Sequence, residues 1–238
     1  MKTLFHVTHW KAGSQWIRKI LEDTFPDLCV EPKVGIGHFL NDKLIHGRVY
    51  PTVYVTKEQF ESIPKPFDWT KFIVIRDLRD TLISGYFSLK YSHAAISSGI
   101  VTYRDKLTSM SIEDGLIYLI HDWLQLSANV QKSWIYSDEA YIRYEDLLVD
   151  DVKQLSRVLV DTCCVDVDLK LLESSIVKNR FENLTGGRKR GQEEVLSHER
   201  KGVSGDWENY FTPKVKECFK QKYGTLLIDT KYETGLEW

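Results

Sequence analysis

No run of apolar residues approaches the ~18 needed to span a bilayer, and the N-terminus lacks the apolar core of a signal peptide. Neither a membrane span nor export is therefore expected. Cysteine is scarce: the four (Cys29, Cys163, Cys164 and Cys218) show no CxxC spacing, and the adjacent Cys163–Cys164 pair is poor geometry for a normal disulfide. That favours reduced thiols and a cytoplasmic protein. An excess of one charge is lacking too. A formal net charge of −2 gives no global pull toward nucleic acid or an anionic membrane, so any anion site must be built from local positive charge. No internal repeat, no low-complexity tract and no Asp, Glu or His spacing that demands a metal is present. The composition that remains, 42% hydrophobic and 28% charged over 238 residues, suits a single domain, 1–238, with a sizeable core.

The most informative stretch lies at the start. Leu4 to Thr8 reads as a buried strand, followed by a tight turn carrying Lys11, Gly13 and Ser14. Trp16, Ile17, Ile20 and Leu21 then form one apolar stripe at helical spacing. A strand that stops at such a turn and enters a helix directs unpaired N–H groups and the positive end of the helix dipole at one place. Lys11 adds a full charge, Gly13 permits close backbone approach, and Ser14 and Gln15 can donate hydrogen bonds. The pattern describes a cradle for phosphate or sulfate. An ordinary strand–turn–helix corner with a chance lysine would look the same. The Gly-x-x-x-x-Gly-Lys-Ser/Thr template is not matched, because here the lysine precedes the glycine.

Further along, Leu28 to Val30 reads as a short strand, 34–38 as loop, and Val49 to Thr56 as a strand. Thr56 then caps a short helix from Lys57. Lys71 to Ile75 is a continuous apolar strand of the kind found inside a parallel sheet. It ends at Arg76, where open α/β sheets bind ligands, and the helix that follows carries Ser84 and runs to about Tyr91. A strand-end arginine and a helix serine can meet one phosphate; pairing of Arg76 with Asp77 or Asp80 is the plainer alternative. One long helix is expected from Ser111 to about Trp134, a strand at Ala140 to Tyr144, a helix over 168–179, and a last helix from Pro213 to about Tyr223. Residues 185–205 are basic, Gly-rich and without periodicity, which describes a mobile loop.

Three strings together resemble the sulfotransferases that use 3′-phosphoadenylyl sulfate (PAPS). Lys11-Ala-Gly-Ser-Gln-Trp16 is similar to that family's 5′-phosphosulfate loop, Arg76-Asp-Leu-Arg-Asp80 with Ser84 to its 3′-phosphate motif, and Arg200-Lys-Gly-Val-Ser-Gly-Asp-Trp207 through Phe211-Thr212 to its C-terminal nucleotide segment. The resemblance implies a P-loop-NTPase-like three-layer α/β sandwich with a central parallel sheet of about five strands. It implies a donor site of Lys11, Ala12, Gly13, Ser14, Gln15, Trp16, Arg76, Ser84, Arg200, Lys201 and Gly202. Tyr144 (in Tyr144-Glu-Asp-Leu147) would edge the adenine and Phe181 would pack on it, although both also read as core aromatics. The implied reaction moves a sulfuryl group from PAPS to a hydroxyl or amine, with Lys11 on the leaving phosphate and no metal.

The acceptor's proton is where the chain departs from the family. The base histidine of a Lys-Thr-His string is missing from Tyr54-Val-Thr-Lys-Glu58. Other branches of the family it resembles use a glutamate, which makes Glu58 the first candidate and His9, at the end of the first strand, the second, while His38 and His46 read as surface or structural. The opening string is similar to bacterial, especially cyanobacterial, sulfotransferases, some of which tailor specialised metabolites, and this favours a small-molecule acceptor over a protein or a glycan. The net charge leaves no nucleic acid or membrane partner expected. A partial dimerisation string near Thr212 leaves monomer and homodimer both open. Two rivals are a nucleotide kinase on the same fold, lacking its lysine motif here, and a polyanion-binding module built on 186–201.

Overall fold

The structure, a computed structural model, describes residues 1–95, 97–137 and 139–238. It divides into two compact units, Met1–Arg76 with Asn129–Leu184 and Asp77–Ala128 with Thr185–Trp238.

In chain order, β1 (Thr3–Thr8) is buried along its whole length and leads to α1 (Ser14–Thr24), which stops at Phe25 ahead of Pro26. The stretch expected as loop instead forms a 3₁₀ turn at Val34–Ile36 and a helical turn, α2 (Gly37–Leu40). β2 (Val49–Val53) precedes α3 (Lys57–Ser62), whose Thr56 and Gln59 make a full capping box. β3 (Trp69–Ile75) gives way to α4 (Leu78–Phe87), capped by Asp77 and prolonged by a π-helical turn at Ser88–Ser92. Then come α5 (Ser98–Thr108), α6 (Ile112–His121), α7 (Leu124–Ile135), β4 (Tyr141–Arg143), α8 (Tyr144–Val149), α9 (Asp151–Ser156), α10 (Leu169–Lys178), α11 (Phe181–Leu184) and α12 (Pro213–Asp229).

The first unit is an α/β layer built on a four-stranded parallel sheet of order β2-β1-β3-β4. Leu28 to Val30, expected as a strand, contributes only a bridge from Cys29 to Val49, because Pro26 and Pro32 leave little chain able to join the ladder. Leu4, Val49, Phe72, Val74 and Ile142 meet Ile17, Ile20 and Leu21 of α1 and Leu172 and Ile176 of α10 in one core. Elsewhere in the unit Phe5 packs on the rings of Phe39, Tyr50, Phe60 and Trp69, so the β1 strand is apolar on both sides.

His6 interrupts that pattern. It is fully buried, stacked on Phe72 at 4.9 Å, and neither ring nitrogen has a hydrogen-bond partner. Burial pushes its pKa down to about 3. The folded state therefore refuses a proton that the unfolded chain accepts below about pH 6.5, and stability declines as pH falls from there toward 3. At pH 5 this linkage costs about 2 kcal/mol. His6→Phe is expected to raise the urea midpoint and to flatten its change between pH 7 and pH 5; an equal pH slope in the variant assigns the acid sensitivity to another group.

The second unit is helical. Gly85 of α4 lies against the Trp123 ring, where an added Cβ would sit 2.3 Å from it, and a Cβ on Gly115 of α6 would sit 2.7 Å from the Tyr86 ring. The single helix expected from Ser111 to Trp134 is broken at Asp122–Trp123, and Trp123 fills the space over Gly85. α5 had no sequence expectation; Ser97 caps it through the Ile100 amide. α12 outlasts its expected end at Tyr223, with Leu226 and Leu227 continuing its buried side.

Candidate active site

Every strand of the parallel sheet delivers a polar or aromatic residue at its C-terminal end, the edge at which such sheets bind ligands. β1 leads to His9, Trp10 and Lys11, β2 to Tyr54, β3 to Arg76 and β4 to Tyr144. Gly13 caps α1 with φ 80°, and a Cβ there would lie 2.7 Å from the Tyr144 ring, so only glycine fits between turn and ring. No acidic side chain occupies the first turn of α1, which leaves its positive end uncompensated by the helix itself. Lys11 adopts φ 65°, a left-handed conformation that costs a non-glycine residue about 1–2 kcal/mol and persists only when neighbours hold it.

Arg76 is one such neighbour. Its guanidinium donates to the Lys11 carbonyl at 2.9 Å and lies 4.5 Å over the Tyr144 ring. Its own carbonyl accepts from the Gln131 amide at 2.9 Å, and its backbone N–H donates to His9 Nε2 at 3.1 Å. Lys11, Gly13, Tyr144 and Arg76 are thus brought together. Ser14 shares a 2.8 Å hydrogen bond with the Tyr54 hydroxyl, and Tyr54 stacks on Trp10 at 4.9 Å. Burial raises the Tyr54 pKa, so the phenol stays neutral. Ala12 is buried, Gln15 and Trp16 are half-buried in the first turn, and Phe181 is buried in α11.

The two candidate bases have different surroundings. Glu58 is exposed in the first turn of α3, where its own backbone N–H and Thr56 hold the carboxyl below the usual range. His9 is fully buried, and both ring nitrogens are engaged, Nδ1 with the Trp10 carbonyl at 3.0 Å and Nε2 with the Arg76 amide. Burial pushes its pKa down to about 4. Both ring nitrogens of His9 thus face backbone groups of the site rather than open space. His38 is likewise occupied, by Pro51 O and the Lys33 amide, and His46 contacts Phe67 O.

The second unit holds the Arg200 segment. Asp80 of α4 accepts the Gly205 amide at 2.7 Å and the Trp207 amide at 3.0 Å, tying the Gly-Asp-Trp turn to the helix. Asp206, buried, receives Lys201 at 2.5 Å, Asn209 at 3.0 Å and Arg200. Burial works to raise that carboxyl, but the bonds from Lys201 and Arg200 outweigh it and hold the pKa below the usual range. Arg200 also meets Glu193 and lies 4.4 Å over Phe87, three residues beyond Ser84 on the same side of α4. Arg79 is stacked between Trp207 and Trp238, at 4.0 and 4.5 Å, and bonds Asp77 and Glu233. The segment expected as a mobile loop is cross-braced: Arg188 donates to the carbonyls of Gln192, Glu199 and Arg200 and to Ser197 Oγ, and Gly191 and Glu194 amides pair with Lys201 and Arg200 carbonyls.

Sequence reasoning passed over Tyr54 and Gln131, and placed Asp80 in the Arg76 motif without its contact to the Gly205 and Trp207 amides. The position of Tyr54 at a strand end was the available signal; Asp80 and Gln131 act on backbone atoms distant in sequence and leave none. Among the described residues no group of His, Cys, Asp and Glu side chains is arranged to hold a metal ion.

A parallel α/β sheet whose strand ends gather a lysine, an arginine and a glycine-capped helix start is built to receive an anionic group. Residues 51–231 match the sulfotransferase domain family, and the chain belongs to it as a sulfotransferase. It is 27% identical to a 3-alpha-hydroxysteroid sulfotransferase of Cavia porcellus, over 91% of this chain and 80% of that one. To sulfotransferase 1E1 of Rattus norvegicus it is 22% identical, over 95% and 83%. In fold it is similar to mouse sulfotransferase SULT7A1 complexed with PAP, with TM-score 0.67, 19% identity and coverage of 99% and 87%. It is also similar to retinol dehydratase in complex with androsterone and the inactive cofactor PAP, with TM-score 0.58, 14% identity and coverage of 94% and 80%.

Proposed function

We propose that the protein moves the sulfuryl group of PAPS to a hydroxyl or amine of a small molecule, releasing 3′,5′-diphosphoadenosine (PAP). The observation that carries this reading is the closed contact between the Lys11 turn, the start of α1 and Arg76. In-line displacement breaks the bond from sulfur to the bridging phosphate oxygen and forms one to the acceptor heteroatom. Charge builds on the leaving phosphate, where Lys11 and the first amides of α1 stabilise it. Arg76 and Ser84, with Arg200, Lys201 and Gly202, are the proposed 3′-phosphate ligands, and Tyr144 and Phe181 the adenine contacts.

The acceptor's proton goes to Glu58, the exposed carboxylate just past the β2 strand end. In a loose transition state the proton leaves late, so a weak base at that position is sufficient. Glu58→Gln is expected to lower kcat about 10²-fold with PAP affinity unchanged, the lower end of the usual contribution of a general base; undiminished turnover moves the base elsewhere. Hydroxysteroids head the acceptor screen because the relatives' names specify them, and specialised metabolites follow from the bacterial-like opening string. Four unpaired cysteines suit a cytoplasmic setting.

A thermal-shift series with PAP beside ATP and magnesium tests the donor. A rise with PAP that exceeds that with ATP is expected; the reverse order favours a kinase, and no rise with either removes the nucleotide reading.

A further inference from the structure

We propose that His9 is a positioning residue: its imidazole, lodged between the Lys11 turn and the Arg76 backbone, sets the spacing of the cationic groups that receive the donor. The proposal deepens the reading above and rests on it.

β1 and β3 pair in parallel as far as Thr8 and Val74, after which one chain turns toward Lys11 and the other toward α4. The next amide on the β3 side, that of Arg76, has passed the end of the ladder. His9 supplies its acceptor through Nε2 at 3.1 Å, so a side chain adds one rung where the backbone cannot. The other nitrogen faces the Trp10 carbonyl at 3.0 Å, which requires the Nδ1–H tautomer. The same residue's carbonyl accepts the Ala12 amide, closing the turn that carries Lys11. Arg76 completes the circuit by donating its guanidinium N–H to the Lys11 carbonyl at 2.9 Å.

Lys11 and Arg76 are therefore linked twice, once through a guanidinium and once through His9. The imidazole is enclosed, the residue being fully buried. Removing the acceptor strands the Arg76 amide in an enclosed site, and the remaining way to satisfy it is to shift the strand end. That shift alters the distance between two groups that must meet one ligand together.

The test uses the full chain and two variants. Gln at position 9 carries an acceptor at the reach of Nε2, whereas Phe fills the space and offers none. His9→Phe is expected to raise the PAP dissociation constant about tenfold, the worth of one buried hydrogen bond, and His9→Gln to restore most of it. Equal affinity in all three proteins, or equal loss in both variants, overturns the proposal, since packing alone would not distinguish them. Should His9→Phe fail to fold, ¹⁵N-histidine NMR of the wild type decides. A non-titrating ring protonated at Nδ1 and bare at Nε2 between pH 5 and 8 is expected; the opposite tautomer overturns it. That readout needs no nucleotide. Failure of the wild type to bind PAP would count against the donor reading, and the tautomer result against His9.

Discussion

Lys11→Ala is expected to lower kcat about 10²–10³-fold while PAP binding weakens far less, the pattern produced by removing one preorganised donor to developing charge. The unequal split follows from where charge appears. PAP is the departed product, with its 5′-phosphate already free. The lysine is most useful at the instant when the bridging oxygen takes on the electrons of the breaking sulfur bond. The structure commits strain to this lysine: its backbone is left-handed at φ 65°, a conformation that glycine would adopt without penalty, and Arg76 holds its carbonyl. Lys11→Arg should rescue little, because a broad planar guanidinium does not replace a compact ammonium. Steady-state kinetics with PAPS, beside calorimetry with PAP, check the split. A variant that loses PAP affinity and kcat in equal proportion would show that Lys11 binds the nucleotide without favouring the transition state.

Asp80→Ala is expected to weaken PAP binding by at least 10²-fold although the residue is not itself a proposed ligand. Its carboxylate holds the amides of Gly205 and Trp207 and is almost wholly buried. Deleting it orphans two amides at about 1–3 kcal/mol each, and the Gly-Asp-Trp turn is the part that has to give. Once that turn loosens, Asp206 no longer holds Arg200 and Lys201 in place. Asp80→Asn retains one acceptor oxygen and should fall between wild type and alanine. Calorimetry with PAP reads the affinity, and urea unfolding reads the stability of the same samples. An alanine variant with wild-type affinity would mean that the turn is held by something other than this helix.

The pieces legible in the sequence were those whose partners lie close along the chain. The strand, turn and helix from Leu4 to Leu21 announce themselves through an apolar run, a glycine and a periodic stripe, and the capping box at Thr56 and Gln59 spans three residues. The parts that stayed hidden depend on distant partners. Asp80 meets amides 125 and 127 residues further along, and His9 meets one 67 residues away. From sequence alone a histidine beside Lys11 can be a base or a brace, because its two nitrogens are defined by neighbours that the local string does not contain. The break in the helix at Trp123 is similar: the helical spacing continues across it, and the reason to stop is a glycine on another helix. Residues 185–205 lack periodicity, yet Arg188 supplies internal order through four hydrogen bonds that no pattern encodes.

The carboxylates of Asp206 and Glu193 have one more effect on what this surface will accept. Arg200 and Lys201 meet an approaching molecule already neutralised. A nucleic acid strand gains affinity by shedding many loosely held ions along its length, and a pair of cations that already has internal counter-charges releases few. Only a ligand that concentrates two negative charges at one point competes well with a fixed carboxylate for the same guanidinium. On the proposed donor reading, Arg200 and Lys201 are thereby suited to a monoester dianion, which offers two charges at one point.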